Sequence, residues 1–254
     1  MIAGRRVKAG LIALVLGASL PALGGVIISG TRHIYPEKYR EISIQVTNDD
    51  LKSPRLVQVW LDRGRAPELS DVPFTLAPPV FRIDAGKGQV IRLAYTREPL
   101  PADRESLFWL NVLEVPPKLA DASTAAKDER SYLRFAFRIR TKVFFRPAVL
   151  SGKPDDAIAQ LRWSLRRGPR GALLRVDNPS AYHVTFHEVA LAMGAHPGAL
   201  LLAGETGMVA PGDSLTLAVR QASPIVVPAD AQVQFRYIND YGAFSTPQRA
   251  ALRF

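Results

Sequence analysis

Four histidines, two aspartate pairs and one Ser-Gly step are the residues of this chain whose types and spacing could do chemistry. His183 and His187 stand at the spacing of a helical metal pair, with His33 and His196 elsewhere in the chain. The residues between them, Val184-Thr185-Phe186, favour a strand. Four residues along a strand hold two rings about 13 Å apart, too far to share one ion. Ser151-Gly152 lacks the flanking glycines of a nucleophile elbow. Asp49-Asp50 and Asp155-Asp156 lie in turn-like sequence, where aspartate caps and bends the backbone. No glycine-rich loop of the phosphate-cradling kind is present. These patterns predict no catalytic site, no metal and no cofactor.

A second kind of chemistry, recognition by a strand, is written between Leu133 and Pro147. Leu133, Phe135, Phe137 and Ile139 alternate with Arg134, Ala136, Arg138 and Arg140, and Lys142 continues the arginine parity. A period of two puts the apolar side chains on one face of a strand and the cations on the other. Alternation alone suits a strand facing the chain's own core. A face of large apolar groups backed by cations also suits a strand lent to another protein.

Positioning these residues requires a β framework. The chain has 254 residues, 47% of them hydrophobic, enough for two packed domains. Short runs rich in Val, Ile, Leu and aromatics recur between Pro, Gly, Asn and Asp clusters. In the first half these predict strands at Val26–Ile34, Glu41–Val46, Leu56–Leu61, Val80–Ile83, Gln89–Tyr95, Leu107–Val115 and Leu133–Phe145. Seven strands at this spacing read as an immunoglobulin-like sandwich. Pro147 to Pro154 reads as a hinge. Beyond it, Leu161–Leu165, Ala172–Val176, His183–Leu191, Leu215–Val219, Gln232–Ile238 and Arg249–Phe254 predict a second, smaller sandwich. The weak helical period at Ala120–Asp128 reads as a loop. The expected architecture is all-β, with domains at 25–147 and 148–254.

The first 24 residues read as a signal peptide. Arg5, Arg6 and Lys8 precede the apolar run Leu11 to Leu16, and Ala22-Leu23-Gly24 is a small-x-small cleavage site. The apolar run is too short to span a bilayer, so no lasting membrane insertion is expected once the leader is removed. Losing those three charges takes the formal net charge from +10 to +7. A basic exported protein could meet nucleic acid, anionic lipid or an anionic partner, and export makes nucleic acid the poorest of these. Cysteine is absent, which excludes disulfides and thiolate metal sites.

Six blocks then carry a family likeness: Gly30-Thr31-Arg32-His33-Ile34-Tyr35-Pro36, Asp103 to Asn111, Val115-Pro116-Pro117, Thr141 to Pro147, Asn178-Pro179 and Tyr237-Ile238-Asn239-Asp240-Tyr241-Gly242. In these blocks and their order, the chain resembles the PapD-like periplasmic pilus chaperones of the chaperone–usher pathway. The resemblance implies two immunoglobulin-like domains set as an L with a cleft between them. It implies that Arg32 and Lys142 anchor the C-terminal carboxylate of a pilus subunit. It implies that Leu133, Phe135, Phe137 and Ile139 fill the open groove of that subunit, and that Glu105, Arg146 and Asp240 tie the two domains together. It also implies a periplasmic, non-enzymatic protein that caps subunits and delivers them to an outer-membrane usher. The alternative is an exported β-sandwich adhesin or fibre subunit. Two features depart from the family pattern: Lys118–Tyr132 is longer than in short-loop members, and the cysteine pair associated with long-loop members is missing.

Overall fold

Gly30 divides what the sequence predicts to be one strand. It takes a φ of +84°, a left-handed conformation that glycine adopts at no steric cost. The chain turns there, so Val26–Ile34 becomes β1 (Val26–Ile28) and β2 (Arg32–Pro36), which join different sheets. The computed structural model describes residues 24–64, 71–115, 135–168, 171–193, 200–219 and 227–253. Residues 1–23 of the leader, the Lys118–Tyr132 segment, Leu133 and His196 lie outside the described residues.

The first sandwich continues with β3 (Glu41–Asn48), β4 (Arg55–Asp62), β5 (Phe74–Ala77), β6 (Val80–Ile83), β7 (Gly88–Tyr95), β8 (Ser106–Val115) and β9 (Phe137–Arg146). One sheet runs β1-β3-β7-β5 and the other β2-β9-β8-β4-β6. Alternation in β3, β4 and β7 sends Ile44, Val46, Val57, Val59, Ile91 and Leu93 into a shared core. Tyr35, Phe74, Phe108 and Phe145 pack there edge-on or stacked. β5 has no counterpart among the predicted strands. Its four residues are closely followed by Pro78-Pro79, which hides a strand from a reading based on runs.

The expected hinge runs into a helix, α1 (Pro154–Gln160). Proline stands at its first turn, where a missing N–H costs nothing, and Asp155 and Asp156 face the positive end of the helix. The Asp156 carboxylate accepts the backbone N–H of Lys153 at 2.9 Å. Asp155-Asp156 is therefore a helix start and not a turn. Ala157 is fully buried in the second core, around Trp163, Phe186 and Phe235.

That second domain contains β10 (Arg162–Gly168), β11 (Gly171–Asp177), β12 (Val184–Ala192), β13 (Leu200–Leu202), β14 (Met208–Val209), β15 (Ser214–Ala218), β16 (Gln232–Tyr237) and β17 (Gln248–Arg253). They follow one hydrogen-bonded path, β13-β12-β16-β17-β10-β11-β15, with β14 on β12. β17 makes this continuity. Its residues 248–251 pair antiparallel with β16, and Leu252 and Arg253 pair in parallel with β10. One strand thus serves both layers of the sandwich.

Candidate functional site

β2 runs parallel to β9 in a register that sets Arg32 opposite Lys142. Both side chains emerge on the same sheet face, where Lys142 lies over the Trp109 ring and Arg32 reaches the second domain. Arg32 Nη1 donates to the carbonyl of Ile238 at 2.8 Å, and its guanidinium lies 5.6 Å from the Phe144 ring centre. Arg32 Nε is buried and donates to no acceptor among the described residues. Among the described residues no carboxylate pairs with Arg32 or Lys142. Burial lowers the pKa of Lys142, and the charge of Arg32 lowers it further. Burial also lowers that of Arg32, although Asp240 and Glu105 pull the other way. Two half-buried cations side by side, lacking a counter-ion, form a site complementary to an anion.

Arg146 ends β9 and bridges the domains. Its Nη2 and Nε donate to Glu105 Oε1 at 2.6 and 2.9 Å. Its Nη1 donates to Asp240 Oδ2 at 2.8 Å, while Nη2 also reaches Asp240 Oδ1 at 3.1 Å. The structure brings Glu105, Arg146 and Asp240 into one network, and adds a fourth member that sequence reasoning missed. His183 donates its backbone N–H to Glu105 Oε2 at 2.8 Å, places Nδ1 3.2 Å from the same oxygen and packs its ring against Phe144. Its place directly after Asn178-Pro179 and Tyr182 was the available signal. His187 turns elsewhere and stacks on Phe244 at 3.7 Å, so the two histidines do not converge. Among the described residues no group of three or more His, Asp or Glu could hold a metal ion.

The strand predicted as Leu133–Phe145 is observed as Phe137–Arg146, with Phe135 and Ala136 extending before it. Phe135 and Phe137 are 58% and 60% exposed, their ring centres 6.2 Å apart, and Ile139 is half-buried. β8 pairs with β9 from Phe137 to Phe145, whereas β2 covers the other side only from Lys142 to Arg146. Residues 137–141 are therefore an open edge among the described residues, with apolar side chains on one face. The opposite face is not the free cationic surface that alternation suggests. Arg140 Nη2 lies 2.6 Å from Asp62 Oδ1, and Arg138 Nη2 lies 3.5 Å from Oδ2.

The site thus joins an open sheet edge to a pair of half-buried cations with no paired carboxylate among the described residues, between two immunoglobulin-like sandwiches. The N-terminal domain model of pili and flagellar-assembly chaperones, PapD, matches residues 25–151, and the C-terminal domain model of the pili assembly chaperone PapD matches residues 156–249. The probable fimbrial chaperone YadV of Escherichia coli (strain K12) is 40% identical over 228 residues, 88% of this chain and 89% of that one. The crystal structure of the CupB2 chaperone of Pseudomonas aeruginosa superposes with a TM-score of 0.71 at 37% identity, covering 89% of this chain and all of that one. The SafB chaperone of Salmonella enterica, solved in complex with the SafA pilin, gives 0.72 at 26% identity, covering 92% of this chain and 99% of that one. The chain belongs to the PapD family of pilus-assembly chaperones. Its two sandwiches are set as the family's L, and it is a fimbrial chaperone of the chaperone–usher class. The alternative of an adhesin or fibre subunit is not favoured.

Proposed function

We propose that this chaperone captures a pilus subunit by lending it the open edge of β9 and by holding the subunit's C-terminal carboxylate between Arg32 and Lys142. The observation that carries this reading is the continuity of the two features on one strand. A partner strand with its carboxylate at Lys142 would run parallel to β9, filling the edge that β2 leaves empty and meeting β2 end to end at Arg32. The anchor then fixes register, because a slip of one residue would turn every side chain to the wrong face. Phe137 lies about 17 Å from the anchor along the strand, so the apolar face is presented at a set distance. Leu133, Phe135, Phe137 and Ile139 would fill the subunit groove, each large side chain contributing about 1.5–3 kcal/mol before docking costs. The SafB–SafA complex supports a pilus subunit as partner.

Residues 1–24 would direct export and be removed, leaving a periplasmic chain of two domains, about 25–147 and 148–254. The Glu105–Arg146–Asp240 network would set the inter-domain angle, since Arg146 joins the buried Glu105 of the first domain to Asp240 of the second. Capture and release would proceed by strand exchange without catalysis, and the loaded chaperone would dock on an outer-membrane usher. The test is the Arg32→Ala/Lys142→Ala pair. Removing either charge-assisted hydrogen bond to the carboxylate should weaken capture about tenfold or more, while the free protein keeps its fold. Subunits co-purifying with the double variant as they do with wild type would sink the anchor.

A further inference from the structure

The even-numbered side chains of the open edge are held from behind by β8 and by β4, the strand beyond it. β4 contributes Trp60 and Asp62, and β8 contributes Trp109 and Asn111, all on the outer face of the sheet. Asp62 is 2% exposed, and its Oδ1 accepts Arg140 Nη2 at 2.6 Å and the Gly64 N–H at 2.6 Å. Its Oδ2 accepts Asn111 Nδ2 at 2.7 Å, and Arg138 Nε donates to Asn111 Oδ1 at 2.9 Å. The guanidinium of Arg138 lies 5.0 Å from the Trp60 ring centre, that of Arg140 lies 4.4 Å from Trp109, and the Lys142 ammonium lies 5.6 Å from Trp109.

A buried carboxylate needs cationic or hydrogen-bonding partners. Here they come from an edge stretch of the first sandwich. Among the described residues, 137–141 pair on one side only, and the rings of Phe135 and Phe137 are more than half exposed. Such an edge frays unless something else orders it. Charge-assisted bonds to Asp62 and stacking on two tryptophans supply that order without using the apolar face. We propose that Asp62 is a positioning residue for the lent strand, holding Arg138 and Arg140 so that Phe135, Phe137 and Ile139 are already extended and facing outward before a subunit arrives. This role rests on the strand-lending reading. Ordering the edge in the free protein removes part of the entropy cost from the binding step.

Hydrogen exchange on the free full-length chain tests the first half of this role, using Asp62→Asn. The β8-bonded amides of residues 137–141 should exchange about tenfold faster, with those of β3 and of Val143–Phe145 unchanged. If Asp62→Asn folds poorly, Arg138→Gln/Arg140→Gln breaks the same interactions from the exposed side and should give the same local pattern. The second half is read with the subunit that co-purifies with the wild-type chain, whose retention by either variant should fall severalfold. Unchanged exchange, a uniform rise across the first sandwich, or full retention of that subunit would each overturn the role of Asp62 while leaving strand lending intact. A wild-type chain that carries no subunit would overturn strand lending and this role together.

Discussion

Within β9, residues of one parity and similar type meet opposite surroundings. Val143 and Phe145 are 0% and 2% exposed, packed among Tyr35, Phe74 and Phe108. Phe137, on the same face eight residues before Phe145, is more than half exposed. Side-chain chemistry does not separate them. The difference is the neighbourhood: among the described residues β2 flanks β9 only from Lys142 onward, and Val143 and Phe145, unlike Phe137, belong to the shared core. The buried end thus packs into the core of the first domain, while the open end, held on its back face by Asp62, leaves apolar side chains exposed. A long exposed apolar edge is ordinarily an aggregation hazard. Here Arg138 and Arg140 line it.

Emptying the buried end should do the most damage. Phe145→Ala removes a ring packed against Tyr35, Phe74 and Tyr95, and should cost about 3–5 kcal/mol. That approaches the whole stability of a typical domain. Urea titration of the isolated chain measures it, and a loss under about 1 kcal/mol would show that this end is not the supporting one.

His33 sharpens the same contrast through pH. It sits on β2 directly opposite Val143, and its Nε2 is buried without a partner among the described residues. Burial lowers its pKa from 6.5 to about 4. Between those values the unfolded chain binds the proton and the folded chain does not, so stability is complete above about pH 6.5 and declines as pH falls toward 4. The full shift corresponds to about 3 kcal/mol. His33→Gln should flatten the stability–pH profile in this window, and a slope identical to wild type would place the acid sensitivity elsewhere.

The two ends of β9 also differ in how far they could be read from sequence. Period two was legible from Leu133 to Ile139, but alternation is blind to whether a second sheet lies beneath it. Arg32, Lys142 and Asp240 are placed by the family resemblance of their blocks, whereas the register that sets Arg32 opposite Lys142 joins strands far apart in the chain. What could not be read were consequences of tertiary packing: the break at Gly30 that sends β1 and β2 to different sheets, the engagement of Arg138 and Arg140 by Asp62, and the arrival of His183 at Glu105 from 78 residues away. Helix α1 is a different kind of miss. Pro154-Asp155-Asp156 is a local helix start, but seven residues are too few for a 3.6 period to stand out.

The smallest effect on the free protein should come from the open end, and it decides the comparison. Phe135→Ser/Phe137→Ser replaces two rings that pack on each other and are mostly in water, so folding stability should change by no more than about 0.5 kcal/mol. The same double change should release subunits into aggregates, because apolar groups would no longer fill their grooves. Thermal melting of the isolated variant and co-purification of subunits give the two readings. A melting temperature that collapses with no subunit present would mean that these phenylalanines support the chaperone itself, and strand lending by this stretch would be withdrawn. An unchanged melt with subunits still held would leave the edge backbone and the Arg32–Lys142 anchor as sufficient for capture, and would move the side-chain contribution to Ile139 and Leu133.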